Sequence, residues 1–292
     1  MEYSKLLAEY GPAMSEEEVA KVVADCREKS ARNQNAEVYK LCYSTIDLTT
    51  LTEKDSVQSV GRFVKKAVEF QNHYPEIPNV ASICVFPSFV DVVGLGVEGT
   101  DIAVTSVAGG FPASQTFMEV KMLEVSMAVE NGADEIDVVI NVGQMLEGDI
   151  EPMTNEIAML REEAGEDTVF KVIIESGALQ TPELIRKASL LAMFAGADFV
   201  KTSTGKIPVA ATPEAAVVMC TAIRDYYQKT GRKVGFKAAG GIRSAEEAAL
   251  FYTIVEEILG KEWCSPTLWR IGASSLANGL ISAIAGQEVK YF

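Results

Sequence analysis

Residues 199–238 read FVKTSTGKIPVAATPEAAVVMCTAIRDYYQKTGRKVGFKA. Two short apolar runs, 199–202 and 234–238, enclose a segment with helical periodicity, which begins at 212–214 with a capping hydroxyl and a first-turn proline. A strand, a helix and a second strand in this order are typical of parallel sheets, whose strands are nearly continuous in apolar residues because helices cover them. The stretch therefore predicts an α/β protein.

The same pattern recurs along the rest of the chain. Helix-start signals stand at Thr181-Pro182, and at Ser244 with Glu247 three residues later, as in a capping box. Together with the first two runs, the further apolar runs give eight strand–helix units in about 250 residues, which favours a closed (β/α)8 TIM barrel over an open doubly wound sheet. The six further runs span residues 45–50, 81–86, 102–107, 135–140, 170–175 and 269–274.

The first 40 residues differ from this repeat, because they are rich in charge and helical in pattern. No linker or low-complexity segment divides the remainder of the chain. We therefore expect a short helical N-terminal extension, residues 1–40, and a (β/α)8 barrel catalytic domain, residues 41–292. The extension is interpreted as a cap or an oligomer contact, so assembly into a homo-oligomer is left open.

Composition excludes several classes of function. Of the 292 residues 48% are hydrophobic, and 41 acidic against 26 basic side chains give a net charge of −15. Such a surface repels nucleic acid and anionic lipid. No apolar stretch reaches the length of a membrane span, and the N-terminus MEYSKLLAEYG lacks the basic and apolar segments of a secretory signal. We expect a cytoplasmic protein with no nucleic-acid or membrane partner.

Metal and nucleotide chemistry are not predicted. The five cysteines form no CxxC pair, and His73 is the single histidine, so we expect no metal site, no disulfide framework and no Ser-His-Asp triad. Residues 94–99 match GxGxxG but precede a strand instead of following one. Residues 204–206 resemble the end of a P-loop, but the first glycine and the magnesium-binding hydroxyl are missing.

In a barrel of this kind the chemistry sits where strands end and the following loops begin. Polar side chains at these positions would converge on one pocket, although any barrel mouth also carries some idle polar residues. For Cys84 and Ser106, the alternative that the residue takes no part in binding or catalysis stays open. The set is Asp47, Cys84, Ser106, Asp137, Glu175, Lys201, Lys237 and Ser274.

Two lysines near the ends of buried strands are the most informative members of this set. Burial and a second nearby cation both favour the neutral amine of Lys201 or Lys237, and a neutral amine is the nucleophile that forms a Schiff base with a carbonyl. Asp137 lies on the fourth strand, close enough around a barrel to share their pocket. A buried ion-pair network is the alternative interpretation of the three residues.

Glycine-rich turns predict a phosphate site. Gly240-Gly241 follows the seventh strand, and Gly272-Ala273-Ser274-Ser275 follows the eighth and leads into a helix. Backbone amides and hydroxyls at such turns bind phosphate in many barrels, and Lys206 would add positive charge. From the residues alone, the chain is interpreted as a phosphosugar barrel with an amine nucleophile.

Between about Leu41 and Ile284 the sequence resembles the deoxyribose-phosphate aldolase family, which are class I aldolases. The resemblance implies reversible cleavage of 2-deoxy-D-ribose 5-phosphate, a small phosphorylated sugar, to acetaldehyde and D-glyceraldehyde 3-phosphate, with no metal and no organic cofactor. The segments that carry it include IDLTTL (46–51), ADEIDVVINVG (133–143), FKVIIESGAL (170–179), FVKTSTGK (199–206), VGFKAAGGIRS (234–244) and RIGASSL (270–276).

The resemblance also implies roles for individual residues. Lys201 would be the Schiff-base lysine, Lys237 the partner that lowers its pKa, and Asp137 the acid/base group. Asp47 and Thr49 would contact the sugar hydroxyls, and Cys84 would lie near the pocket. Two departures from the family pattern are Ala238, where many members have proline, and Tyr291, which is penultimate here although some members end in a tyrosine. The phosphate contacts would be Gly205, Lys206, Gly240, Gly241, Gly272, Ser274 and Ser275.

Three alternatives remain. The chain could be another lysine-dependent barrel aldolase, or a phosphosugar isomerase that uses the same anion site. An isomerase has no need of a Schiff-base lysine beside a second lysine. A phosphosugar-binding regulator without catalysis is the third, and the presence of Lys201, Lys237 and Asp137 argues against it.

Overall fold

Eight parallel strands close into a barrel in the computed structural model, which describes residues 3–292. Each strand pairs with the next along the chain, and the eighth pairs with the first. This confirms the (β/α)8 TIM barrel. The strands are β1 Ile46–Thr49, β2 Ser82–Val85, β3 Ala103–Val107, β4 Glu135–Val139, β5 Val169–Ile173, β6 Phe199–Lys201, β7 Gly235–Ala239 and β8 Trp269–Ala273.

Helices separate the strands and form the outer layer of the barrel. Three of them carry the predicted start signals: Thr181 and Thr212 each accept a hydrogen bond from an amide of the first turn, and Ser244 forms a capping box with Glu247. The helices are α1 Tyr3–Ala8, α2 Glu16–Ser30, α3 Ala36–Ser44, α4 Val57–His73, α5 Val90–Val97, α6 Met118–Glu130, α7 Val142–Glu147, α8 Ile150–Ala164, α9 Ser176–Leu179, α10 Pro182–Phe194, α11 Pro213–Thr230, α12 Ala245–Leu259 and α13 Leu276–Ala285.

The N-terminal helices pack along the outside of the barrel. Helix α1 contacts α8 and α10, while α2 lies across α11 and α12. Val19, Val23 and Cys26 of α2 are buried and belong to the same hydrophobic cluster as the barrel core. Helix α3 runs through residue 40, so the predicted boundary falls inside a helix and not in a linker.

Strand register determines which side chains face one another inside the barrel. Lys201 of β6 is the direct partner of Lys237 on β7, and Asp137 of β4 is the partner of Lys171 on β5. Residues in register on adjacent strands point to the same face of the sheet. The barrel interior therefore receives charged side chains from several strands.

Two smaller predictions are also settled. The GxGxxG segment 94–99 lies at the end of α5, before β3, as its position in the sequence predicts. All five cysteines are buried and free of disulfide bonds. Within residues 3–292 no helix is both long and apolar enough to span a bilayer.

Candidate active site

Lys201 and Lys237 meet on one carboxylate oxygen. The Lys201 Nζ atom donates to Asp137 Oδ2 at 2.7 Å, and the Lys237 Nζ atom donates to the same oxygen at 2.7 Å. All three side chains are buried. The Lys237 amine also forms an ion pair with Asp47. The two lysines therefore lie side by side, joined through a single acceptor atom.

A deeper layer of charge lies beneath them. The Lys171 Nζ atom is 2.9 Å from Asp137 Oδ1 and 2.6 Å from Glu135 Oε2. Arg270 reaches across the barrel, with Nη2 at 2.7 Å from Glu135 Oε1 and Nη1 at 2.6 Å from Asp47 Oδ1. Every carboxylate in the cluster is thus held by at least two cations.

The charges in this cluster do not balance if every lysine is protonated. It contains four cationic side chains and three carboxylates, and all seven are buried. An unpaired buried cation is costly, so a buried amine tends to lose its proton. One neutral amine leaves three cations facing three carboxylates, and the amine with the fewest carboxylate contacts is that of Lys201, which pairs with Asp137 alone.

The directions of the pKa shifts agree with this count. Burial lowers the pKa of Lys201, and the positive charge of Lys237 lowers it further, so that the attraction of Asp137 does not restore it. Burial also acts to lower the pKa of Lys237, but the Asp137 and Asp47 carboxylates outweigh it and raise the pKa. The two lysines are therefore pushed apart in pKa: Lys201 toward the neutral amine, Lys237 toward the ammonium.

Asp137 is held ionised. Burial alone would raise its pKa, but the charges of Lys171, Lys201 and Lys237 outweigh burial and hold the pKa of Asp137 well below its usual range. The carboxylate is therefore a hydrogen-bond and proton acceptor at neutral pH, and the protons in its immediate surroundings are carried by the lysines.

A cavity of about 440 Å³ opens above the cluster at the carboxyl ends of the strands, with Lys201 in its wall. Nine of the thirteen predicted site residues line it, and the other four are buried around its base. The nine are Thr49, Lys201, Gly205, Lys206, Gly240, Gly241, Gly272, Ser274 and Ser275. The four are Asp47, Cys84, Asp137 and Lys237.

The end of the cavity away from Lys201 has the features of an anion site. Gly205, Gly240 and Gly241 all have φ between 75° and 84°, a conformation that side chains with a Cβ rarely adopt. The Lys206 ammonium donates to the Leu51 carbonyl oxygen beside the cavity. Ser275 precedes the first turn of α13, and its hydroxyl does not cap that helix. Helix N-termini with free amides and hydroxyls attract phosphate.

Several predicted residues lie elsewhere or are already bonded. Cys84 packs against Leu51 and Val107 in a small apolar cluster, and burial raises the pKa of its thiol. The Ser106 hydroxyl donates to a main-chain carbonyl, and Glu175 accepts hydrogen bonds from the loop after β6.

The histidine and the C-terminal tyrosine lie together on the outside of α4. The His73 and Tyr291 rings are 5.7 Å apart between centroids. The Tyr291 hydroxyl donates to the main-chain oxygen of Lys66 at 2.9 Å, and its amide donates to Asn278 Oδ1. In this conformation the tail is tied to the barrel surface through both its main chain and its ring.

Sequence reasoning missed four site residues of note. Lys171 and Arg270 carry the same signal as the predicted lysines, a cation within an otherwise apolar strand. Arg243 and Phe63 line the cavity from the loop after β7 and from α4, and no sequence pattern distinguishes them. In the part of the chain that the structure covers, no group of three or more histidine, cysteine, aspartate or glutamate side chains is arranged to hold a metal ion.

Comparison with known proteins gives a consistent set of matches. The chain is 44% identical over 245 residues to "Deoxyribose-phosphate aldolase" of Homo sapiens, covering 80% of this chain and 77% of that one. It is 45% identical to the protein of the same name from Mus musculus, with the same coverage. Among solved structures, deoxyribose phosphate aldolase from Aeropyrum pernix, described as a "unique tetrameric structure", superimposes with a TM-score of 0.67 at 25% identity, over 89% of this chain and 97% of that one.

The closed parallel barrel and the buried Lys201 amine in the wall of its cavity fit a barrel lyase of the class I aldolase type. The sequence profile of the DeoC/LacD family aldolase matches residues 41–279. The chain belongs to the DeoC/LacD aldolase family.

Proposed function

We propose that this enzyme reversibly cleaves 2-deoxy-D-ribose 5-phosphate to acetaldehyde and D-glyceraldehyde 3-phosphate, through a Schiff base on Lys201. The observation that carries the proposal is the position of the Lys201 amine: it lies in the wall of a cavity that is also lined by glycine turns and Lys206, groups suited to a phosphate, and the surrounding charge favours its neutral form. The names of the human and mouse relatives support the choice of substrate.

The first half of the reaction forms the imine. The neutral Lys201 amine attacks C1 of the open-chain sugar, and the carbinolamine that forms takes up one proton and loses its hydroxyl as water to give a protonated imine. The phosphate would be held by the glycine turns and by Lys206, which would position C1 of the sugar relative to the Lys201 amine in the wall of the same cavity. Such positioning turns an encounter of two molecules into a reaction within one complex.

The second half breaks the bond between C2 and C3. A base removes the proton of the C3 hydroxyl, the electron pair of the C2–C3 bond moves into the imine, and D-glyceraldehyde 3-phosphate leaves. The remaining enamine is protonated at C2 and hydrolysed to acetaldehyde. We assign the proton acceptor to Asp137 and the donor to Lys237, because they share one hydrogen bond at 2.7 Å beside the Lys201 amine, and the shifts of their pKa values leave Asp137 ionised and Lys237 protonated.

The test is to trap the imine with acetaldehyde and borohydride and to identify the modified peptide by mass spectrometry. We expect an ethyl group on Lys201, and none when acetaldehyde is left out. Lys201→Leu should lose both the adduct and turnover. Lys121→Leu is the matched control, because it removes a buried lysine that pairs with Glu156 and belongs neither to the charge cluster nor to the cavity. An adduct on Lys237 would exchange the two roles, and no adduct would favour a non-catalytic binder.

We infer that the protein forms a homodimer through α6. Phe117, just before this helix, and Val120, Leu123 and Met127 within it form one exposed apolar seam, with Phe117 78% and Leu123 61% exposed. The seam is nearly symmetrical about the middle of the helix, so an antiparallel copy would place Phe117 on Met127 and Val120 on Leu123. A two-fold interface requires such self-complementarity.

We propose a cytoplasmic location. The support is the set of five cysteines, none of which forms a disulfide although the fold is large enough to accommodate one. Free thiols are typical of reducing compartments. Fractionation of the source cells tests this, and recovery of the protein outside the cytoplasm would contradict it.

A further inference from the structure

A second cavity, of about 310 Å³, lies outside the barrel between α2 and the loop after β6. Val19 of α2, Ile185 of α10 and Val218 of α11 supply apolar walls. None of its lining residues lines the substrate cavity. The two cavities are therefore separate spaces in the molecule.

One polar group inside this second cavity is unsatisfied. Ser176, which begins α9, is only 3% exposed, and its hydroxyl has no hydrogen-bond partner. Leaving a buried hydroxyl unpaired is costly. The Thr212 hydroxyl is already engaged at the cap of α11, and Gln180 and Glu214 lie exposed at the rim.

We propose that this cavity is a binding site for a small, uncharged, mainly apolar molecule that bears one hydroxyl or carbonyl group. The volume lies at the lower end of the range of small-molecule pockets, and a dry apolar cavity of about half that size binds benzene. The Ser176 hydroxyl would pair with the polar group of the ligand. The Glu214 carboxylate at the rim disfavours an anion.

The segment 209–212 is a wall shared between this site and the substrate cavity. Outward, Val209, Ala210 and Thr212 line the second cavity. Inward, Ala210 packs so closely on Gly240 that a Cβ there would lie 2.8 Å from the alanine Cβ. The Ala211 amide donates to the main-chain oxygens of Ala239 and Gly240. A ligand that orders this segment therefore also orders a glycine of the anion site.

The backbone around Ser176 supports a functional role. Glu175 and Gln180, on either side of α9, are non-glycine residues with φ of 53° and 62°. Such strained positions are held only by their surroundings, and they cluster at functional sites. Glu175 also accepts hydrogen bonds from the amide and hydroxyl of Thr204, which directly precedes Gly205. These hydrogen bonds connect α9 to the loop that contains Gly205, in addition to the connection through the segment 209–212.

Binding is tested with 2-phenylethanol and its matched hydrocarbon ethylbenzene, followed by protein-detected NMR titration. We expect both probes to bind the wild-type protein, the alcohol about two- to tenfold more tightly because of one net hydrogen bond. Ser176→Ala should abolish this difference without unfolding the protein, since it removes an unpaired hydroxyl. Val19→Trp should fill the cavity and abolish binding of both probes.

The matched control is Val22→Trp, on the same helix but outside the cavity, which should leave binding intact. Failure of both probes to bind, or binding that survives Val19→Trp, overturns the site. These measurements need no catalysis, so their outcome is independent of the proposed aldolase activity.

The coupling between the two cavities rests on the proposed function and is tested by kinetics. Saturating 2-phenylethanol should change KM for 2-deoxyribose 5-phosphate at least twofold, with a smaller change in kcat. It should leave the cleavage of unphosphorylated 2-deoxyribose unaffected, because the shared wall contacts only the phosphate end. An unchanged KM despite NMR-detected binding overturns the coupling.

Discussion

At the scale of single residues, the central feature is the Asp137 oxygen that accepts hydrogen bonds from two lysines. Lys237 is held protonated by two carboxylates, and its charge helps to lower the pKa of Lys201. The nucleophile and the proton donor of the proposed mechanism would therefore be distinguished by their environments, since both are lysines. A pair of like groups whose pKa values are driven apart is a common sign of acid and base roles.

This predicts the effect of Lys237→Met. Without the neighbouring charge the pKa of Lys201 rises, so less neutral amine is present at a given pH, and the acidic limb of the imine-trapping rate moves to higher pH. Turnover should fall by about 10²- to 10⁴-fold, the usual share of general acid–base catalysis. The pH dependence of trapping with acetaldehyde and cyanoborohydride measures the first effect.

Lys206→Met is the control for this variant, because it removes a positive charge from the same cavity but not from the buried cluster. It should raise KM for the phosphorylated sugar and leave the acidic limb where it was. An unshifted limb in Lys237→Met would show that Lys237 does not tune the nucleophile.

The sequence singles out Lys201, Lys237 and Asp137 from this cluster more readily than the charged residues that contact them. A lysine in an apolar strand is a visible signal, and Lys201 and Lys237 were chosen because they lie near strand ends. Lys171 and Arg270 give the same signal but sit deeper in β5 and β8. Which side chains of a strand face the barrel axis depends on register with neighbouring strands, and a single sequence does not contain that register.

At the scale of secondary-structure elements, α6 is distinguished by its exposed apolar seam. The other faces of this helix are accounted for, since Val125 and Ala128 are buried and Lys121 forms an ion pair with Glu156 at 2.6 Å. An exposed seam of this kind marks an interaction surface more often than a free one.

We therefore expect Leu123→Glu to dissociate the proposed homodimer, because two copies of the new carboxylate would face each other near the two-fold axis. Light scattering after size exclusion should give the mass of the monomer, with secondary structure unchanged. Val57→Glu changes an equally exposed apolar residue outside the seam and should leave the mass as it is. A monomeric wild-type protein would contradict the proposal.

The elements themselves were largely predictable. All eight strands lie at the predicted positions, with ends shifted by one or two residues, and the threonine caps and the capping box begin the helices that they were expected to begin. Alternation of apolar strands and capped helices is a local property of the chain. The cavity behind the β6 loop depends on how α2 packs against α11 and on where the loop after β6 lies, so no local pattern could have revealed it.

At the scale of the whole molecule, the N-terminal helices are integrated into the barrel. Besides the buried face of α2, the Arg186 side chain of α10 donates to the Gly11 carbonyl oxygen, and Asn33 donates to Thr253 and Glu256 of α12. The division into residues 1–40 and 41–292 stays a prediction about function, but the packing is that of one continuous core.

Deletion of residues 3–34 should accordingly destabilise the barrel. It removes several buried apolar side chains, each contributing about 1.5–3 kcal/mol, so the melting temperature should fall by roughly 10 °C or more. Circular dichroism during heating measures this. Deletion of residues 287–292, which form no helix, is the comparison and should lower the melting temperature much less. An unchanged melting temperature for the N-terminal deletion would show that these helices are an independent appendage.

The barrel cluster has one more cationic side chain than it has carboxylates, and this imbalance has a consequence for the course of the reaction. Before substrate binds, a neutral Lys201 leaves the cluster balanced; the protonated imine restores a fourth positive charge among three carboxylates, in a place with little water. That cation is destabilised by its surroundings, and cleavage of the C2–C3 bond discharges it by producing a neutral enamine. Cleavage therefore relocates the excess charge and does not remove it: the imine nitrogen becomes neutral while the proton of the C3 hydroxyl neutralises Asp137. The interior returns to charge balance only when hydrolysis releases acetaldehyde and a proton, and Lys201 is again a neutral amine.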